Sequence, residues 1–223
     1  SQIICGKVNY VLDADIQVTR QALLELVDEL DTPKTACTFG MYSEGRHLRT
    51  LGGRFKNVWV RYTYLGSPKR TRWMNTAMTA IRTSDFWSIG GYDIKDDWVR
   101  GGNDIDFGRV VAEKLGDVVL LHHVDCDHLK EMSLFGLLAN DFNRTRGFFR
   151  LSLESREIRN VTRARSFGNI PLGFMGGVVT AGLFLGGIAL VPLARPAGLG
   201  IAAAGAAGNA LLGLRFFRYA VPR

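Results

Sequence analysis

The sequence predicts an α/β domain built on a mostly parallel sheet, followed by a C-terminal hairpin of two helices with the composition of membrane spans. Two observations carry this expectation. From Ser1 to Phe167, short runs rich in β-branched and aromatic residues alternate with segments of helical periodicity. From Gly168 to Leu214 the only charged residue is Arg195, so the end of the chain suits a different solvent.

Taken in order, Ile3 to Leu12 reads as a strand that ends in Asp13-Ala14-Asp15. Thr19 is an N-cap candidate for a helix whose Ala22, Leu23, Leu26, Val27 and Leu30 recur at helical spacing, and Asp31-Thr32-Pro33 stops it. Strands are expected at Thr35 to Tyr42 and at Val58 to Tyr64. A short strand follows near Ala77 to Arg82, then a helical turn at Ser84 to Ser88 and a Gly90-Gly91 turn. Asp104 to Leu115 has helical spacing, Asp117 to Val124 reads as a strand, and Ser133 to Thr162 is an Arg-rich helical stretch.

The 23 uncharged residues Ile170 to Pro192 are enough to cross a bilayer core of about 30 Å as a helix. Pro196 to Leu214 is also uncharged but mostly Ala and Gly, so its insertion depends on packing, with Gly200, Ala204 and Gly208 as the expected close-approach stripe. Seven arginines from Arg144 to Arg165 precede the hairpin and Arg215, Arg218 and Arg223 follow it, which places both ends on the cytoplasmic side. These flanks account for much of the net charge of +7 and suit anionic lipid headgroups. No nucleic-acid-binding motif accompanies the charge, so no nucleic-acid partner is expected. Three irregularly spaced cysteines, Cys5, Cys37 and Cys126, fit a reducing compartment. The chain opens on Ser with no signal peptide and reads as a fragment.

Three constellations hold chemistry-bearing side chains. Asp13 and Asp15, at i and i+2 of an extended segment, project the same way and can share one hard cation; the same pattern also occurs as a solvated turn. Asp104 stands where the glycine-bearing run Gly101-Gly102-Asn103 enters a helix, a place that keeps a carboxylate ionised for use as a base, or equally makes it an ordinary N-cap. His122-His123-Val124-Asp125-Cys126-Asp127-His128 lacks finger-like spacing for structural zinc, but His128 can complete the coordination of a cation held by Asp13 and Asp15.

The order and spacing of these pieces resemble the second half of a family 2 glycosyltransferase domain. The likeness runs from Asp13-Ala14-Asp15 through Asn75 to Arg82 and Phe86 to Asp93 to Gly102-Asn103-Asp104-Ile105-Asp106-Phe107, and covers roughly Ile3 to Phe149. It implies a partial GT-A fold and an inverting, hexosyltransferase-type enzyme. The donor would be a nucleotide-diphosphate sugar and the acceptor a lipid-linked or envelope-polysaccharide hydroxyl, with Mn²⁺ or Mg²⁺ as cofactor. Asp15 would be the direct metal ligand with His128, Asp13 would lie nearer the ribose, Asp104 would be the general base, and Arg144 and Arg146 would close over the diphosphate. Arg61, Arg70, Arg72 and Trp73 fall where acceptor contacts are expected, or are an ordinary basic surface with one packed Trp.

The expected organisation is therefore residues 1–150 as the catalytic domain, 151–169 as a basic juxtamembrane segment, 170–214 as two transmembrane helices and 215–223 as a basic tail. The whole would be a multi-pass protein of a bacterial inner membrane with a cytoplasmic domain. Three departures from the family stand out. Asn103 replaces the acidic residue usual before the base, the QxxRW motif of processive synthases is absent, and the strands that precede the DxD and bind the nucleotide base are missing. The first and the last leave open a second reading, a catalytically degenerate binding or scaffold protein on the same fold.

Overall fold

The computed structural model describes residues 6–92, 103–154, 166–167 and 170–221. The chain divides into two units, Ser1–Glu157 and Ile158–Arg223.

In the first unit a mixed sheet has the strand order β1-β5-β3-β6-β2, with β4 also paired to β6. The strands are β1 (Val8–Leu12), β2 (Ile16–Gln17), β3 (Thr35–Tyr42), β4 (Arg70–Thr71), β5 (Met78–Arg82) and β6 (Asp117–His128). The expected mostly parallel sheet is corrected here: β3 and β6 form the one parallel pair among the described residues, and the other four pairings in this sheet are antiparallel. The cause is that β5 enters between β1 and β3 in the opposite direction, while the two-residue strands β2 and β4 fold back onto β6.

Helices cover both faces. Helix α1 (Arg20–Leu30) is capped as expected, with Thr19 Oγ1 accepting from the Ala22 amide at 3.1 Å. Its Ala22, Leu26 and Leu30 pack on Met78, Ala80, Val119 and Leu121. On the opposite face Cys37, Phe39, Met41, Ile81, Val118 and Leu120 meet Tyr64, Trp73, Phe107 and Val111. Alternation along β6, with Val118 and Leu120 in one core and Val119 and Leu121 in the other, is the period of two of a strand buried on both faces.

The expected strand Val58 to Tyr64 is instead part of helix α2 (Leu51–Leu65). Its β-branched and aromatic residues carry strand propensity, but tertiary packing overrides it: Gly52, Gly53, Asn57 and Tyr64 are buried at helical spacing. Three further helices lie among the described residues of the unit: α3 (Thr83–Ser88), α4 (Asn103–Lys114) and α5 (Leu134–Glu154). Helix α5 realises most of the expected Arg-rich helical stretch, whose remainder lies outside the described residues.

The second unit contains a small antiparallel pair, β7 (Ser166–Phe167) and β8 (Ile170–Pro171), and helices α6 (Leu172–Leu190) and α7 (Arg195–Ala220). By length and composition α7 can cross a membrane, whereas the apolar run Gly176–Leu190 of α6 is shorter. Two spanning helices were expected; among the described residues one meets the length. The packing stripe agrees with expectation at Gly208, where a Cβ would lie 2.7 Å from Thr180 Cγ2, and differs elsewhere. Gly198, Ala202 and Gly205 are buried against α6, where a Cβ on Gly205 would lie 2.4 Å from the Phe184 amide nitrogen, while Gly200 has nothing within 4 Å. A helix of 3.6 residues per turn keeps 198, 202, 205 and 209 on one side, and Asn209 Nδ2 accordingly donates to the Gly177 carbonyl at 3.0 Å.

Candidate functional site

The Asp13-Ala14-Asp15 segment is held from both sides by backbone pairing. Strand β1 runs antiparallel to β5 as far as Leu12 opposite Met78, and the Asp13 amide donates to the Ala77 carbonyl at 3.2 Å. Three residues later Ile16 is paired with His128 at the end of β6, and the Leu129 amide donates to the Asp15 carbonyl at 2.8 Å. Asn75 shapes the other side of this junction, its Oδ1 accepting from the Ala77 amide at 3.0 Å. The carboxylates therefore sit on a short link whose two ends belong to different strand pairs.

That link brings Asp15 to His128. Asp15 Oδ2 lies 3.6 Å from His128 Nε2, with the Asp15 side chain 38% exposed and that of His128 only 10% exposed. The imidazole stacks on Tyr42 with ring centroids 4.5 Å apart, and its Nδ1 lies 3.0 Å from Asn57 Oδ1. Burial pushes the His128 pKa below its ordinary value, against the opposing pull of Asp15. A neutral imidazole beside a carboxylate is a donor set that a divalent cation accepts.

Asp15 and His128 are of the residue types that can ligate a divalent cation. Among the described residues no group of three or more His, Cys, Asp or Glu side chains gathers for a metal. A cation placed here would have these two side chains as its protein ligands and would complete its shell with other oxygens.

Asp104 lies in the first turn of α4, its Oδ1 accepting from the Ile105 amide at 3.0 Å, and neighbouring Asp106 pairs with Arg109 at 2.8 Å. Helix N-termini favour a charged carboxylate. Tyr92 packs on this helix. Its ring packs on Phe107 of α4 at 5.1 Å, and its pKa is raised by burial first and then by the charges of Asp104, Asp13 and Asp106. One phenol therefore feels both carboxylate sites. The same field reaches Cys126, whose thiol is pushed up to about 12 by burial and by Asp125, Asp127 and Asp13.

Other expected site residues have structural partners. His122 Nε2 lies 3.1 Å from both the Tyr64 and the Ser67 carbonyls, and His123 faces Glu25. Arg61 bonds the Tyr42 carbonyl and Asp125, Arg70 pairs with Asp117, Arg72 pairs with Glu113, and Trp73 is buried in the core. The side chains of Arg144 and Arg146 and the Gly101-Gly102 run fall outside the described residues.

Asn57, Tyr42 and Tyr92 were not singled out from the sequence. Tyr92 had a signal, since it stands in the Phe86 to Asp93 block; Asn57 had none, because it falls just before the expected strand Val58 to Tyr64. Comparison with protein-family models, curated proteins and solved structures finds no match to this chain.

Proposed function

We propose that this chain is part of a membrane-associated, metal-dependent glycosyltransferase of GT-A type, moving a sugar from a nucleotide-diphosphate donor to a lipid-linked or saccharide hydroxyl. The observation that carries the reading is the pairing of Asp15 with the buried His128 at 3.6 Å, at the end of the link that also bears Asp13. In this reading Asp15 and His128 hold the cation and Asp13 faces the donor. Mn²⁺ or Mg²⁺, when bound, neutralises the diphosphate leaving group. Asp104 takes the proton of the acceptor hydroxyl as that oxygen bonds the anomeric carbon and the bond from that carbon to the diphosphate breaks, with inversion. Arg144 and Arg146 close over the diphosphate.

The membrane association is supported by α7 and by the arginines that flank the apolar segments. Two crossings with a cytoplasmic domain are the arrangement proposed.

Transfer by the protein in detergent, across a panel of nucleotide sugars with Mn²⁺ or Mg²⁺, tests this. The expected result is metal-dependent release of nucleoside diphosphate that is lost in Asp15→Ala and Asp104→Asn. Donor binding without turnover in the folded protein, unchanged by Asp104→Asn, would replace the enzyme with a binding protein on this fold.

A further inference from the structure

Asn57 is fully buried in the middle of α2, where packing against a sheet calls for an apolar side chain. Both ends of its amide address one residue. Nδ2 lies 3.4 Å from the His128 carbonyl oxygen, and Oδ1 lies 3.0 Å from His128 Nδ1. Turning the amide over would set its oxygen against a carbonyl oxygen, so the carbonyl fixes Oδ1 toward the ring. An amide oxygen only accepts, and Nδ1 must therefore carry the proton. When the ring is neutral its lone pair is then on Nε2, the nitrogen that faces Asp15 at 3.6 Å.

The rest of the setting holds this arrangement. Tyr42 stacks on the ring at 4.5 Å, and His47 Nε2 makes a second contact to the His128 carbonyl at 3.1 Å. Gly45, at φ +66°, closes over the amide; a Cβ there would lie 2.6 Å from Asn57 Nδ2. The imidazole has one orientation and its neutral form one tautomer, which aims the Nε2 lone pair at the Asp15 carboxylate.

We infer that Asn57 is a positioning residue that locks His128 in the Nδ1–H tautomer, so that Nε2 and the Asp15 carboxylate together present a preformed site for a divalent cation. The inference rests on the cation reading of the site proposed above. A partner on the far nitrogen of a ligating histidine typically changes metal affinity by about 10- to 100-fold.

The test uses the full chain in detergent, ¹⁵N-labelled at its four histidines. The tautomer is read by long-range ¹H–¹⁵N correlation without metal, His128→Gln assigning the signal, and Mn²⁺ affinity is read separately by electron paramagnetic resonance. The expected result is Nδ1–H at His128 in the wild type and in Asn57→Asp, which keeps the acceptor. In Asn57→Leu the ring moves to Nε2–H, and Mn²⁺ binds about 10- to 100-fold more weakly. An Nε2–H ring in the wild type, or equal Mn²⁺ affinity in wild type and Asn57→Leu, overturns the role of Asn57. An Asn57-dependent Nδ1–H ring in a protein that binds no Mn²⁺ overturns the cation reading instead, and the metal-free spectrum separates the two failures.

Discussion

Helices α1 and α2 pack on opposite faces of the same sheet, yet they bury different kinds of residue. Helix α1 turns Ala22, Leu26 and Leu30 inward, and the Thr19 side chain caps its own first turn. Helix α2 turns Gly52, Gly53, Asn57 and Tyr64 inward. Its N-terminus is closed from a distance by Glu131, whose carboxylate accepts from the Arg49 amide at 2.7 Å and the Thr50 amide at 2.9 Å. The first helix contributes apolar area. The second trades much of that area for close approach to the segment that follows His128, so it is built to hold a side chain in place.

The largest expected effect is on the α1 side. Leu26→Ala empties a fully buried position and should cost about 2–5 kcal/mol in urea unfolding. Mn²⁺ affinity of the folded fraction should stay unchanged. If that affinity fell with stability, the division of labour between the helices would be wrong.

Gly52→Val is the counterpart on α2. A Cβ at Gly52 would lie 2.4 Å from the Met132 carbonyl oxygen, a backbone atom with little room to yield. The expected cost is about 1–3 kcal/mol. Mn²⁺ binding should weaken as well, because the displaced segment begins just after His128.

The two caps sharpen the comparison. Thr19→Ala should cost about 1 kcal/mol at any pH, since a hydroxyl does not titrate. Glu131→Gln should have the smallest effect, and one that depends on pH. Amide and hydroxyl donors from Arg49 and Thr50 hold the Glu131 carboxyl down at about 2, against an ordinary value near 4.5. A depressed folded-state pKa contributes stability that is fully present above the unfolded value and is lost as pH falls through the folded one. The thermal-melt difference between wild type and Glu131→Gln should therefore persist above pH 4.5 and close as pH approaches 2. A difference that is flat over that window would contradict the capping role.

The same contrast explains what was legible in the sequence. Helix α1 could be read nearly to the residue because its buried positions are apolar at helical spacing, and strand β3 because it is a nearly continuous buried run between turn residues. Helix α2 could not, since glycine and asparagine leave no hydrophobic stripe and Val58 to Tyr64 carries strand propensity. The mixed sheet was hidden for a related reason: two-residue strands such as β2 and β4 have no pattern of their own and exist by pairing with β6.

Asp15 and His128 could each be picked out as chemistry-bearing residues. Their meeting depends on the Ile16 to His128 register, and Asn57 joins them through a contact 71 residues apart in the chain. No local signal encodes either. Asp104 was legible from its glycine-bearing approach to a helix, while the packing of Tyr92 on Phe107 of that helix was not.

The most direct test of the account is an anomalous-difference map from crystals of the full chain soaked in Mn²⁺. The account predicts a peak shared by the Asp15 carboxylate and His128 Nε2, absent from Asp15→Ala crystals. A wild-type map with no peak at that place, or with Mn²⁺ bound elsewhere and unaffected by Asp15→Ala, would contradict it.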